Sequence, residues 1–209
     1  RLPELSPDVY QTAARRVMAR CDELARVTAT PGAIERVYLS TEHARVNRLA
    51  AEWMREVGMA TRQDAAGNQL GRLAASDPSR PALMLGSHLD TVPDAGRYDG
   101  IVGVLMALEV VRLLRAPVDG GWVSPLPFAL EVVAFSDEEG TRFGKALLGS
   151  SAVAGAWDDA WWALTDADGT TLLEAFREFG LDPGRIGEAA RRPGELVGYL
   201  EAHIEQGPE

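Results

Sequence analysis

Three neighbouring apolar segments are typical of a buried strand–helix–strand unit. Residues 82–86 (ALMLG) and 128–135 (FALEVVAF) are almost continuous apolar runs, as expected of strands that are covered on both faces. Residues 100–114 between them are apolar on nearly all sides and predict a buried helix. Strands that alternate with helices indicate an α/β fold whose largely parallel sheet is flanked by helices.

The other segments fit the same fold class. Helices are predicted over residues 9–27, from Ser40 to Gly58, from Ala146, and from Thr171 to Gly180, where Thr171 and Glu174 form a capping-box pattern. Short strands are predicted over residues 59–63, 70–74 and 197–202. Three tryptophans follow the helix at Ala146 and are expected to pack over the sheet: Trp157, Trp161 and Trp162.

Composition excludes several classes of protein. The 209 residues carry 21 Lys+Arg against 31 Asp+Glu, a formal charge of −10, which argues against nucleic acid or an anionic membrane as the main partner. The single cysteine, Cys21, excludes an internal disulfide, is expected in the core and fits a cytoplasmic protein. The longest apolar stretch, residues 101–114, is too short to span a bilayer, and we expect no secretory leader.

The strongest functional signal follows the first buried strand. The sequence GSHLDTV places His88 and Asp90 at a strand's carboxyl end, where open α/β sheets bind ligands. A carboxylate two residues after the histidine can accept its second imidazole N–H and orient a metal ligand. The alternative is a core histidine paired with an aspartate, and this motif alone does not separate the two.

Asp99 begins the apolar helix and has two competing interpretations. Aspartate is a favoured N-cap, because its oxygen accepts backbone N–H groups of the first turn. The same carboxylate, which is followed directly by a glycine, is also placed to bridge two cations.

Two further polar motifs follow strand-like segments. SDEEGTRF carries Glu138 and Glu139, and crowded carboxylates beside an apolar sheet repel one another unless a cation or a proton is present. Since neighbouring residues on an extended chain face opposite ways, one glutamate is expected to bind metal and the other to face a water. HIEQGP begins at His203, and an acidic solvated turn remains the alternative for the glutamates. His, Asp, Glu and His form a ligand set that suits zinc or manganese.

His43, the remaining histidine, lies among polar neighbours in the first turn of the second helix. We interpret it as a solvated surface residue without a metal role.

These motifs together resemble a known family. GSHLDTVPDAGRYDG, FSDEEGTRFG, LLGSSAVAG and HIEQGP are similar to motifs of the dinuclear metal-dependent amidohydrolases, which include allantoate amidohydrolases and N-carbamoyl-L-amino-acid hydrolases. These enzymes belong to the wider aminoacylase and carboxypeptidase G-type metallopeptidase group. The likeness runs from about Leu24 to the end of the chain.

The resemblance implies a zinc-peptidase-like catalytic domain with two divalent ions, Zn or Mn. It implies that His88 and His203 bind one metal, that Asp99 bridges, and that Glu139 binds the second metal. Glu138 would be the general base, Asp90 would orient His88, and Gln206 would lie near the substrate, a small molecule with a ureido or amide C–N bond. Two cations would lower the pKa of a bridging water and polarise the carbonyl under attack.

The resemblance also implies that something is missing. Family members are about twice as long, so residues 1–209 are expected to be the N-terminal part of the catalytic domain, without the dimerisation (lid) domain and the C-terminal catalytic segment. A further histidine on the second metal would come from that segment, and the full-length form would be a homodimer. Ser151 stands where relatives usually carry arginine.

Three functions remain open on the sequence. Allantoate is the favoured substrate, because the GRYDG, DEEGTRFG, DADG and HIEQGP run is closer to that branch. An N-carbamoyl-L-amino acid is the alternative substrate. A non-catalytic metal-binding or partner-binding remnant is the alternative of another class, and the 209-residue chain alone is expected to have weak or no activity.

Overall fold

A computed structural model describes residues 6–115 and 126–205 of the chain. Within these ranges, no helix is both long enough and apolar enough to cross a membrane. The helices are α1 (Pro7–Ala25), α2 (Thr41–Glu56), α3 (Ile101–Arg115), α4 (Leu148–Val153) and α5 (Leu172–Phe179), with 3-10 turns at Asp159–Ala163 and Pro183–Ala189. The strands are β1 (Ala60–Gln63), β2 (Gln69–Leu73), β3 (Ala82–His88), β4 (Ala129–Phe135) and β5 (Leu196–Leu200).

The five strands form one mixed sheet in the order β1-β2-β4-β3-β5. Strand β3 pairs in parallel with β4 and with β5, whereas the β1–β2 hairpin adds to β4 in antiparallel fashion. The predicted α/β fold is thus confirmed, with its parallel part formed by β4, β3 and β5. Because His88 is in register with Phe135, the segments that follow β3 and β4 leave the sheet side by side.

Helices α1, α2 and α3 cover one face of the sheet through the main hydrophobic core. Cys21 lies in this core, as predicted, and is fully buried. Each large apolar side chain buried here stabilises the fold by about 1.5–3 kcal/mol. The core also includes Leu24, Val46, Met54, Val104, Leu108 and Val132.

A second hydrophobic cluster surrounds α5. The helix begins with the predicted capping box, in which Thr171 and Glu174 satisfy each other's backbone amides. Trp157 and Trp162 pack against Phe176 of this helix, with ring centroids 5.9 and 4.8 Å away. The prediction that the tryptophans pack over the sheet is therefore wrong, because they pack against α5 in a separate hydrophobic cluster.

Candidate metal centre

The side chains of His88, Asp99 and His203 converge at the carboxyl edge of the sheet. His88 ends β3, Asp99 precedes α3, and His203 follows β5. The Nε2 atoms of the two histidines are 3.2 Å apart. Asp99 Oδ1 lies 3.3 Å from His203 Nε2 and 3.6 Å from His88 Nε2.

This triangle has the dimensions of a zinc ligand set. Zinc–nitrogen bonds of about 2.0–2.1 Å in a tetrahedral site imply ligand atoms separated by about 3.3 Å. The three observed separations of 3.2, 3.3 and 3.6 Å lie close to that value. Two histidine nitrogens and one carboxylate oxygen are also donors that zinc and manganese accept. The residues present therefore fit a divalent metal ion.

Asp99 does not occupy the N-cap position. Helix α3 begins at Ile101, so Gly100 takes the capping place, and the carboxylate of Asp99 faces the two histidines. Gly100 has a φ of +65°, and a Cβ on it would lie 2.3 Å from His88 Nε2. Glycine is needed here for its backbone conformation and for the space that the imidazole fills.

Asp90 connects His88 with the glutamate-bearing loop. The Nδ1 of His88 lies 3.1 Å from the main-chain oxygen of Asp90 and 3.5 Å from its carboxylate. The two carboxylate oxygens accept the backbone N–H groups of Glu138 and Glu139, at 3.1 and 3.0 Å. The sequence predicted that the carboxylate accepts the imidazole N–H, and the carboxylate does lie within reach of Nδ1, although the carbonyl oxygen of the same residue is nearer. The buried Asp90 carboxylate also fixes the loop that carries the two glutamates.

Glu138 and Glu139 lie in a bend rather than on an extended chain. Asp137 and Gly140, on either side of the pair, have φ values of +57° and +67°. Each glutamate places a carboxylate oxygen in a group with a ring nitrogen of His88, and all three atoms lie within 4.8 Å of one another. The expectation that the two side chains face opposite ways assumed an extended backbone, and the bend turns both toward His88.

The surroundings of the site favour a positive charge. Burial alone would lower the pKa of His88, but its contacts with Asp90 and the charge of Glu138 raise it to about 9. Burial, together with the charges of Asp99, Asp90 and Glu138, raises the pKa of Glu139 to about 7 despite the opposing charge of His88. The same field that holds a proton on His88 would stabilise a divalent cation.

Asp137 is the third carboxylate of the acidic motif and points away from solvent. It is buried, and neither of its carboxylate oxygens has a hydrogen-bond partner among the described residues. Burial raises the pKa of this carboxyl well above its usual range, with the charge of Asp90 acting in the same direction. The expectation that some of these carboxylates are driven toward protonation fits Asp137, although burial rather than crowding is the larger cause.

The interpretation of His43 as a solvated surface residue is wrong. Its side chain is 3% exposed and stacks on Phe179 at 4.9 Å. Nδ1 accepts the backbone N–H of Leu39, so the neutral ring carries its proton on Nε2, beside Ser136 Oγ at 3.1 Å. Burial lowers the pKa of His43 to about 4. Polar sequence neighbours misled the prediction, because the buried face of α2 includes this first turn. That His43 has no metal role stays a prediction.

Arg36 supports the site, although no pattern in the sequence pointed to this residue. Its buried guanidinium donates to the carbonyl oxygens of Leu24, Val27 and Leu89. Leu89 stands between His88 and Asp90, so Arg36 ties that segment to the end of α1. Gln206, predicted near the substrate, lies outside the described residues.

The fold and this site define the class of the protein: an α/β protein with a candidate metal centre at the carboxyl edge of its sheet. Residues 68–180, more than half of the chain, match the profile of "Peptidase family M28". The chain belongs to this family, which is metal-dependent.

Similar proteins are known from several organisms. An "N-carbamoyl-L-amino acid amidohydrolase" of Geobacillus stearothermophilus is 42% identical over 92% of this chain and 46% of its own length. An "Allantoate deiminase" of Arabidopsis thaliana is 37% identical over 96% of this chain and 38% of its own length. The crystal structure of a hydantoinase/carbamoylase family amidase from Burkholderia ambifaria superposes with a TM-score of 0.78 and 40% identity, over 94% of this chain and 46% of that one. The chain thus spans about half the length of the relatives it matches.

Proposed function

We propose that the chain is the N-terminal part of a metal-dependent amidohydrolase that cleaves a ureido C–N bond. The convergence of His88, Asp99 and His203 at zinc-ligand separations carries this proposal. The names of the 42% and 37% identical relatives, an N-carbamoyl-L-amino acid amidohydrolase and an allantoate deiminase, support the choice of bond.

His88, Asp99 and His203 would hold the first of two divalent ions, Zn or Mn. Asp99 would also serve the second ion, together with Glu139. When bound, such ions polarise the carbonyl under attack and provide a nucleophile from water at neutral pH.

The protein's own groups would then move the proton. Glu138 is part-exposed, and its Oε2 lies 3.8 Å from His88 Nε2, so its carboxylate borders the site and remains open to solvent. It would accept a proton from the attacking water at a carboxylate oxygen and donate it to the leaving nitrogen. Asp90 would hold Glu138 and Glu139 through their backbone amides, and Gln206 would contact the substrate.

Two substrates have support. The sequence favours allantoate, and relatives named allantoate deiminase match over 96% of this chain. The N-carbamoyl-L-amino acid alternative is favoured by the higher identity, 42%, of the Geobacillus relative. Ammonia release from allantoate and amino-acid release from an N-carbamoyl-L-amino acid, assayed in parallel on the Mn- or Zn-loaded protein, separate the two.

The matched variants Glu138→Gln and Glu178→Gln test the role of the base. Glu178 is an exposed glutamate on α5, away from the site. With the C-terminal half of the Geobacillus relative supplied in trans, so that turnover is measurable, loss of a general base is expected to lower turnover by about 10²–10⁴-fold in the Glu138 variant, with metal content unchanged. Equal turnover by both variants would reject the assigned base.

The 209-residue chain by itself is expected to turn over weakly or not at all, with a loosely held second metal. Supplying the C-terminal half of the Geobacillus relative in trans should raise the activity. If metal binds but neither substrate is cleaved even then, the non-catalytic alternative, a metal-binding or partner-binding module, is the better description. A homodimer of the full-length form stays a prediction, which sedimentation can test.

A further inference from the structure

We propose that Ser87 and Glu201 form a clamp that positions His203 against His88. The two are positioning residues for the metal centre, so the inference rests on the proposed function and deepens it.

Backbone pairing between β3 and β5 ends before it reaches the histidines. The last paired residues are Leu85 and Leu200, whereas β3 continues to His88. Residues 201–205 belong to no helix or strand and are exposed. The sheet ladder therefore does not fix the main chain that carries His203.

Side-chain hydrogen bonds continue where the ladder stops. Ser87 Oγ donates to Glu201 Oε1 at 2.6 Å, and Tyr199 Oη donates to Glu201 Oε2 at 2.7 Å. Ser87 immediately precedes His88 and is 1% exposed. Glu201 is two residues before His203, so one short bond joins the segments that carry the two histidines. Hydrogen bonds to a charged group are stronger than those between neutral groups, so this bond can restrain an exposed segment.

Helix α3 contacts both segments that the clamp joins. A Cβ on Gly103 would lie 2.2 Å from the carbonyl oxygen of Ala202 and 2.7 Å from Ser87 Cβ. Ala202, between Glu201 and His203, thus rests directly on the helix backbone. The clamp and this close contact both restrain the main chain immediately before His203.

Metal affinity is the direct measure of such positioning, because ligand atoms must lie within about 0.2 Å of their bonding distances. We expect Glu201→Ala and Ser87→Ala to weaken binding of Zn²⁺, measured by competition with a chromophoric chelator, by about 10-fold or more. Glu201→Gln is expected to bind nearly as well as the natural protein. Its amide oxygen can accept from Ser87 and its N–H can donate to Tyr199, although it carries no charge.

The Gln variant separates position from charge. If Glu201→Gln binds Zn²⁺ as weakly as Glu201→Ala, the carboxylate acts through its charge, and the clamp is rejected. The double variant Ser87→Ala/Glu201→Ala should bind Zn²⁺ about as weakly as Glu201→Ala alone, because both substitutions break the same Ser87–Glu201 bond. Additive losses would contradict a shared contact.

A metal-free measurement separates this inference from the proposed function. The backbone ¹⁵N order parameter of His203, measured in the presence of a chelator, should fall in Glu201→Ala and in Ser87→Ala, which removes only one hydroxyl, but not in Glu201→Gln. Unchanged order parameters and unchanged Zn²⁺ affinity would overturn the clamp and leave the proposed function standing. If the natural protein binds no Zn²⁺ but the order-parameter pattern holds, the metal centre fails while the clamp is supported.

Discussion

His88 and His203 direct their Nε2 atoms at each other across 3.2 Å. At that separation only one of the two facing nitrogens can carry a proton, because two N–H groups would point at one another. The carboxylate of Asp99 lies against both nitrogens, at 3.6 and 3.3 Å. These three side chains are therefore arranged to share one cation, either a proton or a metal ion.

Zn²⁺ should therefore stabilise the folded protein, and the gain in the free energy of unfolding should depend on His88 and His203. At a free concentration of about 100 times the Kd, we expect a gain of about 2.7 kcal/mol in the free energy of unfolding. His88→Ala should abolish this gain and His203→Ala should reduce it, as measured by urea unfolding of an untagged chain with and without Zn²⁺. The exposed Glu178→Gln serves as the control and should gain as much as the natural protein; an equal gain in His88→Ala would place the metal elsewhere.

Gly100→Ala should weaken the metal site far more than Gly144→Ala does. Both glycines have positive φ, +65° and +69°, so either substitution carries a similar backbone cost of about 1–2 kcal/mol. Only at Gly100 would the new Cβ collide with the His88 imidazole, at 2.3 Å from Nε2, since a Cβ on Gly144 meets no atom within 4 Å.

We expect both variants to lose folding stability, Gly100→Ala more because the His88 imidazole must also shift, and a loss of Zn²⁺ affinity of about 10-fold or more in Gly100→Ala alone. Chelator competition provides the affinities, and urea unfolding in the absence of metal provides the stabilities. Equal affinities in the two variants would mean that His88 is free to move without consequence for metal binding.

Asp90→Asn should lower both stability and metal affinity. Its two carboxylate oxygens accept the amides of Glu138 and Glu139, and asparagine would present an NH₂ group to one of these donors. A buried donor left without an acceptor costs about 1–3 kcal/mol, and loss of a partner of a metal ligand lowers affinity about 10- to 100-fold.

Asp166→Asn is the matched control for this change. Asp166 also accepts two backbone amides, those of Asp168 and Thr170, but both through Oδ1 and in a separate turn, while its Oδ2 pairs with Arg142. Its variant should lose stability and keep the Zn²⁺ affinity of the natural protein. A comparable loss of affinity in both variants would show that general destabilisation, rather than the loop at Asp90, is being measured.

The sequence predicted the elements of this fold well, because hydrophobic periodicity is a local property. The apolar runs at residues 82–86 and 128–135 became the parallel pair β3 and β4, and the predicted capping box of α5 is present. The parallel pairing also placed the ends of these strands together, which is why His88 and the acidic motif could be expected at one edge.

Other features depend on contacts between distant segments, which local patterns do not encode. The burial of His43 results from Phe179 and Ser136, and both are far from it in the chain. The bend at Glu138 and Glu139 is imposed by Asp90, 48 residues from Glu138. The bond between Ser87 and Glu201 spans 114 residues, so neither residue stood out by its sequence neighbours.

The buried, neutral His43 should make folding stability depend on pH. Its pKa is lowered from 6.5 to about 4 by burial, which the charge of Asp90 only partly offsets. Below pH 6.5 the unfolded chain takes up a proton at this histidine that the folded protein does not accept until about pH 4. The stability contribution is therefore complete above the unfolded pKa and is lost progressively as the pH falls toward 4.

Between about pH 7.5 and about pH 5 this single group should lower the free energy of unfolding by about 2 kcal/mol. His43→Gln removes the titration, so the variant should be less stable at neutral pH, where the ring's contacts are lost, but its stability should fall less on acidification. Urea unfolding of both proteins at the two pH values, with a chelator present, measures the difference, and the other titrating groups cancel in the comparison. An identical pH dependence in the two proteins would show that His43 is protonated in the folded state, contrary to its burial among Phe179, Asn47 and Ser136.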